Sequence, residues 1–283
     1  MASLQKIKSR MHTVESIRKI THAMELVSTS KIRKARECFD AVSLYESQVT
    51  EVFDIYFHSV DAGEILDFIK RKFSKRKLFI VIATDLGLAG SYNSNIIKLC
   101  KSKIGHDDEV ILLGTKGISS LSHIYKSQII LQRGWGVQKA KKIAKQLTKL
   151  AFDRYINGHV GEINVIYTNF INNLVQQETC FKILPYQSGR DKIKTTNAKQ
   201  VVEFEPNALQ ILKDTMPIFV NAKINLALAS ASLSEYAARR AAMESATQNA
   251  NDLIKNLNLD YNRKRQSNIT QELNEIVSGA NAV

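Results

Sequence analysis

Residues 4–27 read LQKIKSRMHTVESIRKITHAMELV, and the apolar positions Leu4, Ile7, Met11, Val14, Ile17, Ile20, Met24 and Val27 recur in steps of three and four. That spacing keeps one narrow seam on one side of a helix. Ser3 can cap the start, because its hydroxyl can accept from an early free N–H. Ile32, Phe39, Val42, Val49, Val52 and Tyr56 continue the stripe, and no glycine or proline comes before Gly63. A helix of roughly 55 residues, ~80 Å at 1.5 Å per residue, is predicted.

The other end mirrors this one. From Asn207 onward Leu209, Leu212, Met216, Phe219, Ile224, Leu228, Leu233, Tyr236, Met243, Ala250, Leu253, Leu257, Ile269, Leu273 and Ile276 form a comparable stripe. Pro217 should kink this helix or mark a junction, since proline lacks an N–H and crowds the preceding turn. Beyond it ~90 Å of uninterrupted rod is expected. Ala, Ser and Thr dominate Ala227 to Ala250, which lets another surface approach closely. Helices this long cannot cover their stripes on a middle domain alone. The two ends should therefore pair as an antiparallel coiled coil.

The middle alternates strand and helix. Leu78–Thr84 (LFIVIAT) reads as a buried parallel strand. A glycine turn at Gly87–Gly90 leads to a helix over Ser91–Lys103. Glu109–Leu113 is a second strand, with a short helix after Gly117. Gln128–Leu131 is a third, weaker strand, and Val137–Ile156 is a basic amphipathic helix. Ile163–Phe170, Thr179–Leu184 and Val201–Phe204 complete the expected strands. The fold class is therefore α/β plus a long antiparallel coiled coil, the central Rossmann-like domain carrying a mostly parallel sheet. The expected divisions are an N-terminal helix over 1–62, an α/β domain over 75–205 and a C-terminal helix over 207–283.

Composition narrows the classes. With 44% hydrophobic and 24% charged residues, the chain is not one that stays disordered. Its most apolar stretch, Ile218 to Leu233, is interrupted by Asn221, Lys223 and Asn225, so no membrane span is expected. Cys38, Cys100 and Cys180, far apart and odd in number, suit a reducing compartment. Lys and Arg number 40 against 27 Asp and Glu, a net charge of +13 that implies an acidic partner.

Catalytic signatures are not found. Asp85-Leu86-Gly87-Leu88-Ala89-Gly90-Ser91 stands between a strand and a helix, where backbone N–H groups can face a phosphate. It is only G-x-x-G, without the dinucleotide fingerprint or a phosphate loop, and a tight turn is the better reading. The six histidines and three cysteines show no metal-ligand spacing, and no nucleophile motif is present. No catalytic residue, metal or cofactor is expected. The basic residues say more: Lys6, Lys8, Arg10, Arg18, Lys19, Lys31, Arg33, Lys34 and Arg36 crowd the first helix, with further groups at Lys70 to Lys77, Lys139 to Lys149 and Arg263 to Arg265. Solvation is the plain account, an acidic protein partner the sharper one. A nucleic-acid-binding adaptor is less favoured, for want of interleaved aromatics.

Both ends resemble the γ subunit of F-type ATP synthase, the central-stalk rotor family. Ile17-Arg18-Lys19-Ile20-Thr21-His22-Ala23-Met24-Glu25-Leu26-Val27 is similar to the family's "QKITKAMEMV". Ser234 to Arg239, Met243 to Asp252 and Tyr261 to Leu273, ending in Glu275-Ile276-Val277-Ser278-Gly279, match at the other end. Asp85 to Asn93 resembles "D-x-G-L-C-G-x-[YF]-N", with Ala89 where cysteine is common. The cysteine-bearing insert of chloroplast relatives is missing, so thiol regulation of that type is not expected.

The resemblance implies one copy of a rotor per complex, standing in a ring of three α and three β subunits and meeting the ε subunit and membrane c-ring at its foot. Catalysis would belong to β, with no insertion into the bilayer and no nucleic acid bound. Arg265, Gln266, Thr270 and Glu272 match the contact with the β catch loops, and Met24 and Arg239 the contact with the acidic lever loops. Lys6, Lys8, Arg10, Arg33 and Arg36 would form a basic rotor face, an electrostatic bearing. A rotor of a divergent F1-like motor that only hydrolyses ATP stays open beside this reading. Family-like sequence from Ser3 leads us to expect no import segment, and hence the cytoplasmic face of a bacterial plasma membrane.

Overall fold

The computed structural model describes residues 2–59, 74–136, 139–186 and 208–280. The expected strand at Val201–Phe204 and the first half of the Lys70–Lys77 group lie outside the described residues. In chain order the elements are α1 (Ala2–Ser59), β1 (Lys77–Ile82), α2 (Tyr92–Lys103), β2 (Glu109–Leu113), α3 (Thr115–Leu121), β3 (Ile129–Arg133), α4 (Ala140–Ile156), β4 (Glu162–Phe170), β5 (Gln176–Leu184) and α5 (Ala208–Ala280). Contacts divide the chain into two compact units, Lys31–Ala238 and Met1–Ser30 with Arg239–Val283.

In the Lys31–Ala238 unit a five-stranded sheet has the order β3-β2-β1-β4-β5. β1 pairs in parallel with β2 and β4, β2 in parallel with β3, and β5 closes the edge antiparallel to β4. Strand alternation sorts β1 onto two faces. Leu78, Ile80 and Ile82 join a core with Ile143, Leu147 and Ala151 of α4 and Leu212, Met216, Phe219 and Ile224 of α5. Phe79 and Val81 join the opposite core with Ile96 and Cys100 of α2 and Leu121 of α3. Burial on both faces explains the unbroken apolar runs.

Packing accounts for two features of α5, its interior proline and its apolar content. The helix carries Pro217 in its interior without a junction. Met216, Phe219 and Val220 beside it are buried, and their packing outweighs the local cost of ~3 kcal/mol for an interior proline. The helix also contains a stretch long and apolar enough to cross a membrane by composition, most of it buried inside the protein. Its apolar residues are accounted for as a core helix packed on the sheet.

The small residues of α5 have a specific use here. Phe170 N donates to Ser230 Oγ at 2.8 Å, Ser234 Oγ donates to the Thr168 carbonyl at 3.1 Å, and Tyr92 Oη donates to the Ala231 carbonyl at 3.2 Å. Ser230, Ala231 and Ser234 are completely buried. Side chains this short let the helix backbone lie against the end of β4, so the surface they admit is the sheet of this unit.

In the unit formed by the two chain ends, α1 and α5 pair antiparallel. Ile7, Met11 and Val14 pack with Ala250, Ile254 and Leu257. Thr247 Oγ1 donates to Thr21 Oγ1 at 2.8 Å and fixes the register. Val14, Thr21 and Ser28 are buried at intervals of seven, as are Met243, Ala250 and Leu257, the heptad repeat of a coiled-coil seam.

Candidate partner-contact site

The glycine turn is occupied by its own fold. Asp85 accepts from Thr115 N at 3.0 Å and Trp135 N at 2.9 Å, one on each carboxylate oxygen. Asn93 closes the other side, its Oδ1 accepting from Thr84 N at 3.2 Å and its Nδ2 donating to Thr84 Oγ1 at 2.7 Å. Of the two glycines only Gly90 has positive φ, 59°, and the other left-handed residue is Leu88 at 62°. Leu86 and Leu88 are exposed. The motif thus spends its polar groups on pinning three loops together. At the end of β2, Gly114 has φ 97°, and a Cβ there would stand 2.3 Å from the Ala83 carbonyl oxygen, so only glycine fits.

One polar cluster joins α1 to α5 within the Lys31–Ala238 unit, and no motif announced it. Lys223 Nζ pairs with Glu46 Oε1, both side chains nearly buried, and Thr50 Oγ1 donates to the same carboxylate oxygen at 2.8 Å. The ammonium lies 5.2 Å from the Phe219 ring centroid and 5.3 Å from that of Phe181. Beside it Tyr186 Oη donates to Asp54 Oδ1. Phe53 and Phe219 stack at 4.4 Å, with Tyr186 edge-on to both. Burial and the Asp54 carboxylate hold the Tyr186 hydroxyl well above the usual phenol range.

The sequence-derived contact residues fall into three groups. Arg265, Gln266, Thr270 and Glu272 are all exposed on the last part of α5. By the register of Thr21 against Thr247, α1 ends its run opposite about residues 263–266. Past that point Ile269, Leu273, Ile276 and Val277 are 48–68% exposed. Met24 is half-buried and Arg239 is buried at 4%. The guanidinium of Arg239 is therefore no part of the free surface of the chain. Lys6, Lys8 and Arg10 are exposed and have no ion-pair partner among the described residues. Arg33 pairs with Glu37 at 3.5 Å, and Arg36 donates to Asn173 at 3.3 Å while lying 5.0 Å from the Phe170 ring centroid.

The apolar stripe of α1 divides in a way its spacing did not reveal. Ile17, Ile20 and Val27 are 49%, 60% and 55% exposed. Thr21 and Ser28, one residue further on and so turned ~100° around the helix, occupy the seam instead. Their hydroxyls are satisfied locally, Thr21 Oγ1 on the Arg18 carbonyl at 3.0 Å and Ser28 Oγ on the Met24 carbonyl at 2.8 Å. Arg18 also forms a 2.7 Å pair with Glu15, and that hydrogen bond holds the Glu15 carboxyl below its ordinary range. The ends thus bury a partly polar seam and leave two apolar stripes uncovered.

Comparison with known proteins gives the surface its context. The family model described as ATP synthase matches residues 3–283. A curated ATP synthase gamma chain from Mycoplasmopsis agalactiae is 45% identical over 287 aligned residues, covering all of both chains. One from Acetobacterium woodii, named as sodium ion specific, is 35% identical and covers 99% of both. Among solved structures, a chain of the Euglena gracilis mitochondrial ATP synthase, OSCP/F1/c-ring, superposes with a TM-score of 0.68 at 14% identity, over 99% of this chain and 94% of that one. The fold is shared at that distance, and matches of this extent in sequence leave one assignment: the chain belongs to the ATP synthase gamma-chain family.

Proposed function

We propose that this chain is the central rotor shaft of an F1-type ATP synthase, a non-catalytic subunit that couples ion-driven rotation to the conformational cycle of the catalytic β subunits. The observation that carries the reading is the surface of the paired ends. Apolar stripes at Ile17–Val27 and Ile269–Val277 stay uncovered by their own chain, which a coiled coil does when a surrounding collar supplies the cover. Three α and three β subunits are that collar. The unit holding the sheet engages the ε subunit and the membrane c-ring.

Arg265, Gln266, Thr270 and Glu272 are the contact with the β catch loops, and Met24 with its exposed apolar neighbours is part of the contact with the lever loops. Arg239, being buried, acts by holding the shaft in shape. The basic bearing then rests on Lys6, Lys8 and Arg10, with Arg33 and Arg36 partly committed to neighbours. The similar gamma chains come from bacteria, which supports a place on the cytoplasmic face of the plasma membrane.

Ile269→Asp with Leu273→Asp tests the reading. Both positions are exposed, so the isolated chain should melt where the native one does, while co-purification with α and β drops severalfold. Full assembly of the doubly charged variant would remove the collar from the account.

A further inference from the structure

From Val110 to Phe152 the chain holds eight basic residues and no acidic one. Folding gathers most of them at one edge of the sheet, whereas Lys116 lies by the turn at Gly87. Among the described residues β3 is the edge strand, paired on one side only, with β2. Arg133 Nη1 donates to Gln146 Oε1 at 2.7 Å, so the end of β3 meets the middle of α4, whose Lys141, Lys142, Lys145 and Lys149 are exposed. On its other flank β3 borders an open groove of about 470 Å³, lined by Ser122, His123, Lys126 and residues 129–132. Ile129, Ile130 and Leu131 are half-buried apolar residues of this edge, Ile129 packed against the core of α2 and α3 and the other two against that of α4 and α5.

An edge strand presents a row of unpaired N–H and C=O groups, and a lysine or two there ordinarily guards against stray pairing. A group of Lys126, Arg133, Lys141, Lys142, Lys145 and Lys149 with no ion pair among the described residues goes well beyond a guard, since mutual repulsion weakens the fold that holds it. We infer that the β3 edge and the basic face of α4 bind an acidic, extended segment of a partner protein, which adds to the sheet as a further strand. Backbone pairing along β3 supplies the affinity, the half-buried apolar residues of the edge meet alternate side chains, and the lysines select carboxylates on the others. A nucleic acid would want stacking platforms, yet the local aromatics Tyr125 and Trp135 are buried at 6% and 5%. A lipid surface has no use for a strand edge. The proposal stands independently of the shaft role.

The full chain is titrated with a synthetic peptide of alternating glutamate and valine, and separately with phosphatidylglycerol vesicles and with polyuridylate. The peptide should bind, slow amide exchange across residues 129–133, and lose affinity at least about tenfold in the K126E/K142E/K145E variant. Exchange at 129–133 that is unmoved by saturating peptide overturns the proposal, whatever the variant does. Vesicles or polyuridylate binding more tightly than the peptide, with the same loss in the variant, overturns it in favour of lipid or nucleic acid.

Discussion

Glu46 and Lys223 show what one pair of charges contributes far from any conserved-looking motif. Removing one partner leaves the other buried without its counter-charge, which typically costs about 3–5 kcal/mol. Glu46→Gln or Lys223→Met alone should therefore lower the denaturation midpoint sharply, and Glu46→Leu with Lys223→Met should recover most of it. Equal losses in single and double variants would mean that the pair is incidental. The thiols separate in the same way. Burial, with the neighbouring Cys180, pushes the Cys100 thiol up to about 12, while Cys38 is exposed. A maleimide at neutral pH should label Cys38 within minutes and leave Cys100 untouched until the chain unfolds. At Glu162, burial opposes ionisation, but the hydrogen bond from Lys182 at 3.0 Å and the charges of Lys182 and Lys77 outweigh it. Its carboxyl lies below the ordinary range. The resulting stability is present in full above the unfolded glutamate pKa and is lost as pH falls through the folded one. Melting temperature should drop below about pH 4.5, and less steeply in Glu162→Gln.

Among the elements, the central strands were the most legible, because burial on both faces writes an unbroken apolar run. Glu109–Leu113 has the ends its sequence suggested, and α2 begins one residue after the expected start. β5 begins at Gln176, three residues before the expected Thr179, since an edge strand can carry polar residues such as Gln176, Gln177 and Glu178. Past Val14 the coiled-coil seam departs from the apolar spacing for a related reason. Spacing sees hydrophobicity, whereas Thr21 and Ser28 can be buried in the seam because their hydroxyls bond carbonyls of their own helix, and Ile17, Ile20 and Val27 are left for another surface. No local signal could pair Glu46 with Lys223 or bury Arg239, both of which depend on where α5 lies. Register is directly testable. Thr21→Cys with Thr247→Cys should oxidise readily to a disulfide, and Ile20→Cys with Thr247→Cys should not; the reverse outcome would restore the apolar stripe as the seam.

At the scale of the whole molecule, the charge of +13 has two distinct outlets. The β3 edge with α4 carries one, and the start of α1 the other. If Lys6, Lys8 and Arg10 form a bearing, replacing all three with glutamine should flatten the salt dependence of ATPase coupling in the assembled complex, because exposed charges act through a screened field. Coupling with an unaltered salt profile would assign those residues to solvation alone. The shaft itself is tested most directly by reconstitution with α and β subunits, with a probe attached to the Lys31–Ala238 unit and single complexes observed under ATP. Stepwise rotation of the probe in one direction is the predicted result. A probe that stands still while the complex hydrolyses ATP would contradict the account.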